Sequence, residues 1–115
     1  MNLTKKLLHT ALLTSIIFTQ SGCLYKTLEP NELTKANEVS INGNSYIPEY
    51  DGLDPYLLSQ EDLVLGKKEN WYVHNKKLYL FLDEETKEKW FIHMDIMILA
   101  ADKQWEKLSS PTEED

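Results

Sequence analysis

Residues 71–82 read Trp-Tyr-Val-His-Asn-Lys-Lys-Leu-Tyr-Leu-Phe-Leu, and this stretch decides the fold class. The runs Trp71 to Val73 and Leu78 to Leu82 are rich in residues that favour β-strands. Four polar residues, His74 to Lys77, separate the two runs. Two strand-forming runs around a short polar segment predict an antiparallel β-hairpin.

The next apolar stretch, residues 90–101, fits two different periodicities. As a strand, its alternate positions form one unbroken apolar face: Trp90, Ile92, Met94, Ile96, Ile98 and Ala100. As a helix, it forms a stripe of Trp90, Met94, Met97, Ala101, Trp105 and Leu108, but Ile92, Ile96 and Leu99 would point away. The strand accounts for more of the apolar residues and is favoured, followed by a short helix over residues 101–108.

The sequence before residue 71 predicts a second hairpin and a short helix. Residues 38–41 and 45–47 alternate in polarity around Asn42-Gly43, and both turn residues accept the positive φ of a type I′ turn. Asp54-Pro55 has the form of a helix N-cap followed by proline at the first helical position. The whole pattern predicts an α+β, β-rich domain: a small antiparallel β-meander with a short helix before it and a short C-terminal helix.

Composition limits the class of protein. A chain of 115 residues, 42% of them hydrophobic, is expected to form one small domain. Nineteen acidic residues against 12 lysines give a formal charge of -7, which argues against a nucleic-acid partner because phosphates require a basic face. The single cysteine excludes an intrachain disulfide framework and a multi-thiolate zinc site.

The first residues have the layout of a targeting segment. Lys5 and Lys6 precede a mostly apolar run from Leu7 to Phe18. This run is shorter than the roughly 20 apolar residues that span a bilayer. A basic head followed by a short apolar run is typical of a secretory signal peptide.

The four residues Gln20-Ser21-Gly22-Cys23 follow that run, and they resemble the lipobox of bacterial lipoproteins. The resemblance implies that the thiol of Cys23 receives a diacylglyceryl group and that a signal peptidase cleaves between Gly22 and Cys23. It also implies that a fatty acid such as palmitate is often added to the new amine. Leu24 is not the Asp that signals retention in the inner membrane, so the resemblance favours the periplasmic leaflet of an outer membrane.

These features divide the chain into four predicted parts. Residues 1–22 are a lipoprotein signal peptide, residues 23–37 a lipidated tether, residues 38–110 the folded domain and residues 111–115 an acidic tail. Removal of the signal peptide leaves ten lysines against 19 acids, a formal charge of -9. The lipid on Cys23 makes the membrane the first expected partner.

Two sets of residues are candidates for chemistry or ligand binding. His93 and Asp95 would share one face of the predicted strand, and His74 could approach from the hairpin, which would suit a metal or proton transfer. Polar positions on the outer side of a sheet explain these three residues more simply, so no metal or cofactor is predicted. The aromatic residues, among them Trp71, Tyr72 and Trp90, could line a glycan or peptide groove, but a small domain also needs large side chains in its core.

No nucleophile or phosphate-loop motif is present, so an enzyme is not expected. The leading hypothesis is a non-enzymatic periplasmic lipoprotein that acts through protein contacts, in an accessory, immunity, exclusion or pilot role. The excess of acidic residues would suit a basic partner in the cell envelope. The alternative is a module that binds a cell-wall glycan or peptide through exposed Trp and Tyr residues.

Overall fold

The computed structural model describes residues 25–110. The predicted signal peptide, Cys23 and the acidic tail lie outside these residues. Within them the strands are β1 (Val39–Ile41), β2 (Asn44–Tyr46), β3 (Lys67–His74) and β4 (Lys77–Phe81). The α-helices are α1 (Pro55–Ser59), α2 (Glu84–Ile92) and α3 (Met94–Ser109). The predicted α+β class with a C-terminal helix is confirmed, with more residues in helix than in strand.

Both predicted hairpins are confirmed, and the same kind of turn closes each one. Strands β1 and β2 join through Asn42 (φ 50°) and Gly43 (φ 84°), while β3 and β4 join through Asn75 (φ 52°) and Lys76 (φ 66°). Two consecutive positive φ angles define the type I′ turn, which matches the twist of the flanking strands. The hairpins form two separate two-stranded sheets rather than one continuous meander.

Strand β4 is buried on both faces. Tyr79 and Phe81 enter the main hydrophobic core, and Leu78 and Leu80 are buried on the opposite side. Gly66 crosses this strand so closely that a Cβ atom would overlap the carbonyl of Leu80 and would lie 2.8 Å from the backbone nitrogen of Phe81. Only glycine fits at this crossing.

The strand preferred for residues 90–101 is wrong, because these residues are helical. The carboxylate of Asp83 accepts a hydrogen bond from the backbone nitrogen of Thr86 (2.9 Å) and so caps helix α2 ahead of Trp90. The chain breaks only at His93 (φ -134°, ψ 55°) and continues as α3. The residues that a helix is predicted to turn toward the core do lie in the core or pack against it: Trp90, Met94, Met97, Ala101, Trp105 and Leu108.

The indole of Trp90 is the centre of the core. It has no exposed surface, and its ring lies 5.0 Å from that of Tyr79 and 5.2 Å from that of Phe81. Among the described residues its Nε1 atom has no hydrogen-bond partner. The packing of aromatic rings, not polar pairing, therefore holds Trp90 in place.

The carboxylate of Asp54 joins three elements inside the protein. Its Oδ1 atom accepts a hydrogen bond from the backbone nitrogen of Leu57 (2.9 Å), which confirms Asp54 as the N-cap of α1. Its Oδ2 atom accepts two more, from the backbone nitrogen of Leu82 (2.7 Å) and from the hydroxyl of Thr86 (2.6 Å). Asp54 is fully buried, so these bonds replace water at the start of α1, the end of β4 and the first turn of α2.

Burial raises the pKa of the Asp54 carboxyl, and the hydrogen bonds from Leu82, Thr86 and Leu57 oppose that rise. Since the folded chain holds this proton to a higher pH than the unfolded chain, the contribution of Asp54 to the free energy of unfolding is largest at low pH. That contribution falls as the pH rises from the ordinary Asp value of 3.8 through the raised pKa.

The segment before the first hairpin packs on the domain. The backbone nitrogen of Leu28 donates to the carbonyl of Leu63 (2.7 Å), and that of Ala36 donates to Asp51 (3.2 Å). The side chains of Leu28 and Leu33 contact the core. Much of the segment expected to serve as a tether is thus part of the folded unit. No helix in residues 25–110 is long and apolar enough to cross a membrane.

We expect Asp54→Ala to lower the free energy of unfolding by about 3 kcal/mol or more, because it leaves the backbone nitrogens of Leu57 and Leu82 without an acceptor and leaves the Thr86 hydroxyl only the carbonyl of Asp83. Asp54→Asn should also lower the free energy of unfolding, since one amide oxygen cannot take the place of both carboxylate oxygens. Urea denaturation followed by tryptophan fluorescence measures both changes. Asp83→Ala, which removes one cap bond made by an exposed residue, is the matched control and should cost only about 1 kcal/mol. Equal losses at residues 54 and 83 would contradict this role for Asp54.

Candidate functional site

An apolar stripe faces solvent along the end of α2 and the first turns of α3. It consists of Ile92, Ile96 and Leu99, whose exposed fractions are 69%, 61% and 70%. Ile96 and Leu99, three residues apart on α3, share one side of that helix, and Ile92 precedes them at the end of α2, before the break at His93. These are the residues that the helical alternative leaves outside the core.

The exposure of this stripe follows from the packing on the other side of α3. Ala101 is fully buried, and Met97 and Trp105 pack against the core cluster. A helix of this kind can bury only about one stripe of its surface against a single core. Further apolar residues on the opposite side therefore remain in water unless another molecule covers them.

Aromatic and basic side chains border the stripe at the end of α2. Phe91 is 38% exposed and meets Tyr72 edge to face, with ring centroids 4.7 Å apart. A depression beside Ile92 is lined by side chains of mixed polarity, among them Tyr56, Lys89, His93 and Met97. Phe91 thus adds apolar surface next to Ile92, whereas the depression adds surface of mixed polarity.

Carboxylates follow one edge of the stripe. Asp95 and Asp102 lie seven residues apart on α3, and both are exposed. Asp102 also accepts a hydrogen bond from the hydroxyl of Tyr50 (2.7 Å), which ties α3 to the turn Glu49–Gly52. Burial and this hydrogen bond raise the pKa of the Tyr50 phenol, so the hydroxyl remains a donor at neutral pH. The stripe therefore has an acidic edge of fixed orientation.

The aromatic residues predicted as ligand-binding candidates do not form an open groove together. Trp90 is fully buried, whereas Trp71 and Tyr72 are half-buried on β3. Tyr72 contacts Trp90 edge to face at 6.1 Å, so it continues the core cluster toward the surface. Of the three, only Trp71 and Tyr72 have surface that a ligand could contact.

The three metal candidates are not brought together as a ligand set. His74 is half-buried at the end of β3, with its ring 6.5 Å from that of Trp90. His93 and Asp95 flank the break between α2 and α3 and are exposed. In the part of the chain that the structure describes, no three His, Cys, Asp or Glu side chains are placed to hold a metal ion.

The chain was compared with known proteins at three levels. No protein-family model, curated protein or solved structure matches it. In the sequence, the signal for the apolar stripe is that a helix over residues 90–101 would turn Ile92, Ile96 and Leu99 away from its core-facing side.

We expect Leu99→Lys to change the free energy of unfolding by less than about 0.5 kcal/mol, because its side chain is already in water. Ala101→Lys, two residues further on, should destabilise the domain by more than about 2 kcal/mol, since it places a charge in the core. Thermal unfolding followed by circular dichroism compares the two variants. A loss at Leu99 as large as that at Ala101 would contradict the exposed position of the stripe.

Proposed function

We propose that this protein is a lipid-anchored, non-enzymatic component of the bacterial cell envelope that acts by binding another protein through the stripe Ile92, Ile96 and Leu99. The exposure of this stripe is the observation that carries the proposal. The basic head, the apolar run and the lipobox-like residues before Cys23 support the anchor. The periplasmic leaflet of an outer membrane is the proposed location.

The physical argument starts from the cost of leaving large apolar side chains in water. Single exposed apolar residues are common on soluble proteins, but a group of large exposed apolar side chains, here Ile96 and Leu99 on one side of α3 with Ile92 just before it, is typical of an interaction site. Each side chain that a partner covers contributes roughly 25 cal/mol per Å² of apolar surface removed from water. Binding of a partner would thus remove from water an apolar surface that this domain cannot bury in its own core.

Two carboxylates beside the stripe and the acidic net charge of the chain favour a partner with basic side chains. Of the basic residues nearby, Lys89 is paired with Glu85 (3.1 Å), and Lys103 lies one turn beyond Leu99. Asp95 and Asp102 lie along its edge, and the chain after Cys23 carries a formal charge of -9. Complementary charge speeds association and excludes acidic competitors more than it adds affinity. The partner that fits best has an apolar surface bordered by Lys or Arg.

The anchor has a direct test in cells. Cys23→Ser should abolish incorporation of labelled palmitate and leave a precursor with its signal peptide, because the thiol that accepts the lipid is gone. Metabolic labelling and gel mobility measure both effects. A control variant with Cys23→Ser and Ser40→Cys restores the thiol at an exposed position of β1 and should remain unlabelled. Palmitate incorporation in Cys23→Ser would contradict the lipoprotein assignment.

The contact surface has a separate test. A photo-crosslinking amino acid in place of Ile96 or Leu99 should give a discrete adduct with an envelope protein in living cells. The matched control carries the same amino acid in place of Asn44, an exposed residue at the start of β2. Addition of Asp95→Lys should weaken the adduct severalfold if the partner is basic. Adducts of equal yield from residues 44 and 99, or none from residues 96 and 99, would contradict the proposal.

A further inference from the structure

A second exposed apolar surface lies where the described chain begins. Tyr25, Leu28 and Leu65 line a groove of about 260 Å³ together with the lysines Lys26 and Lys67. Tyr25 is 38% exposed and Leu65 is 52% exposed. None of the residues that line this groove is acidic. The two charged residues that line the groove are thus both lysines, although the chain as a whole is acidic.

The lysines of this groove are available to an outside anion. Within residues 25–110, Lys89 forms an ion pair with Glu85 at 3.1 Å, whereas neither Lys26 nor Lys67 forms one. Both are exposed, and so is Lys68, which follows directly in β3. Long lysine stems can lie along apolar surface while their ammonium groups reach outward. The groove therefore combines an apolar floor with a positive rim.

The groove begins two residues after Cys23 in the chain. Two residues of extended chain span at most about 7 Å, so Cys23 lies within that distance of Tyr25. The hydrogen bond from Leu28 to Leu63 attaches the following chain to the domain. A lipid on Cys23 would thus bring this side of the protein, and the groove in it, to the bilayer surface.

We propose that the groove formed by Tyr25, Leu65, Lys26 and Lys67 is a membrane-contact surface that binds the headgroups of anionic phospholipids and orients the domain on the bilayer. This inference rests on the proposed lipid anchor at Cys23. An apolar surface with lysines at its rim is the pattern of proteins that lie in the interfacial region of a membrane. Basic residues close to an anionic leaflet are attracted to it within about a Debye length.

The chain offers a clean labelling scheme for a test. Cys23 is the only cysteine, and in the mature lipoprotein its sulfur carries the lipid. Leu65→Cys therefore introduces the one free thiol for an environment-sensitive fluorophore. Leu99→Cys, at a site 70% exposed on α3, provides the matched control. The full-length protein, purified from cells that express it, is reconstituted into vesicles of phosphatidylcholine with phosphatidylglycerol, or of phosphatidylcholine alone.

We expect the label at residue 65 to shift its emission to the blue in the anionic vesicles and to be quenched severalfold more than the label at residue 99 by lipid-borne quenchers. Lys26→Glu with Lys67→Glu should remove most of this difference, and so should high salt or the absence of phosphatidylglycerol. Lys103→Glu, an exposed charge reversal on α3, should leave it intact. These results together would support the membrane contact.

Other outcomes separate this inference from the proposed function. Protein that does not float with the vesicles would overturn the anchor itself. Protein that floats but shows equal quenching at residues 65 and 99, or quenching that is unchanged by Lys26→Glu with Lys67→Glu, would overturn the headgroup contact. Such a result would not contradict the anchor. A blue-shifted label that lipid-borne quenchers do not reach would mean that a second copy of the chain covers the groove, which also overturns the inference.

Discussion

The buried carboxylate of Asp54 is the constraint on which the rest of the fold depends. Three donors from different elements meet its two oxygens, at the start of α1, after β4 and in the first turn of α2. Because Thr86 is one of them, Asp54 sets where α2 begins relative to β4. The start of α2 determines the phase of the helix, which directs Trp90 into the core and turns Ile92 outward. The exposure of Ile92 thus follows from where α2 begins, whereas Ile96 and Leu99 are exposed because Met97, Ala101 and Trp105 occupy the core side of α3.

The local chemistry of turns and caps could be predicted from sequence, but the phase of the last apolar stretch could not. Asn42-Gly43 favours a type I′ turn and Asp54-Pro55 favours a helix start by residue type alone, and both predictions are confirmed. The strand preferred for residues 90–101 assumed that the best structure buries the most apolar residues. A cap at Asp83 and a bond between Thr86 and Asp54, 32 residues apart, favour the helix instead. Such a long-range contact leaves no periodic signal in the sequence.

The candidate surfaces differ in how far the sequence predicts them. Cys23 can be recognised in the sequence because the residues just before it form a contiguous lipobox-like pattern. Ile92, Ile96 and Leu99 can be recognised as the apolar residues that a helix would turn away from the core. The groove at Tyr25 has no such signal, since the fold brings Leu65 and Lys67 beside a segment some forty residues earlier. Trp90 shows the opposite error: residue type suggests a ligand contact, but the three-dimensional packing makes it the centre of the core.

The short connection between Cys23 and the core links the two proposed surfaces. Four residues separate Cys23 from Leu28, whose backbone is bonded to the domain, so an extended chain spans at most about 17 Å. A domain held at this distance presents its stripe within a few nanometres of the bilayer. Three exposed side chains form a small interface compared with those of stable complexes in solution. Confinement of both proteins to one membrane raises their effective concentration, so a modest apolar contact with a basic border would suffice for a partner in the same envelope layer.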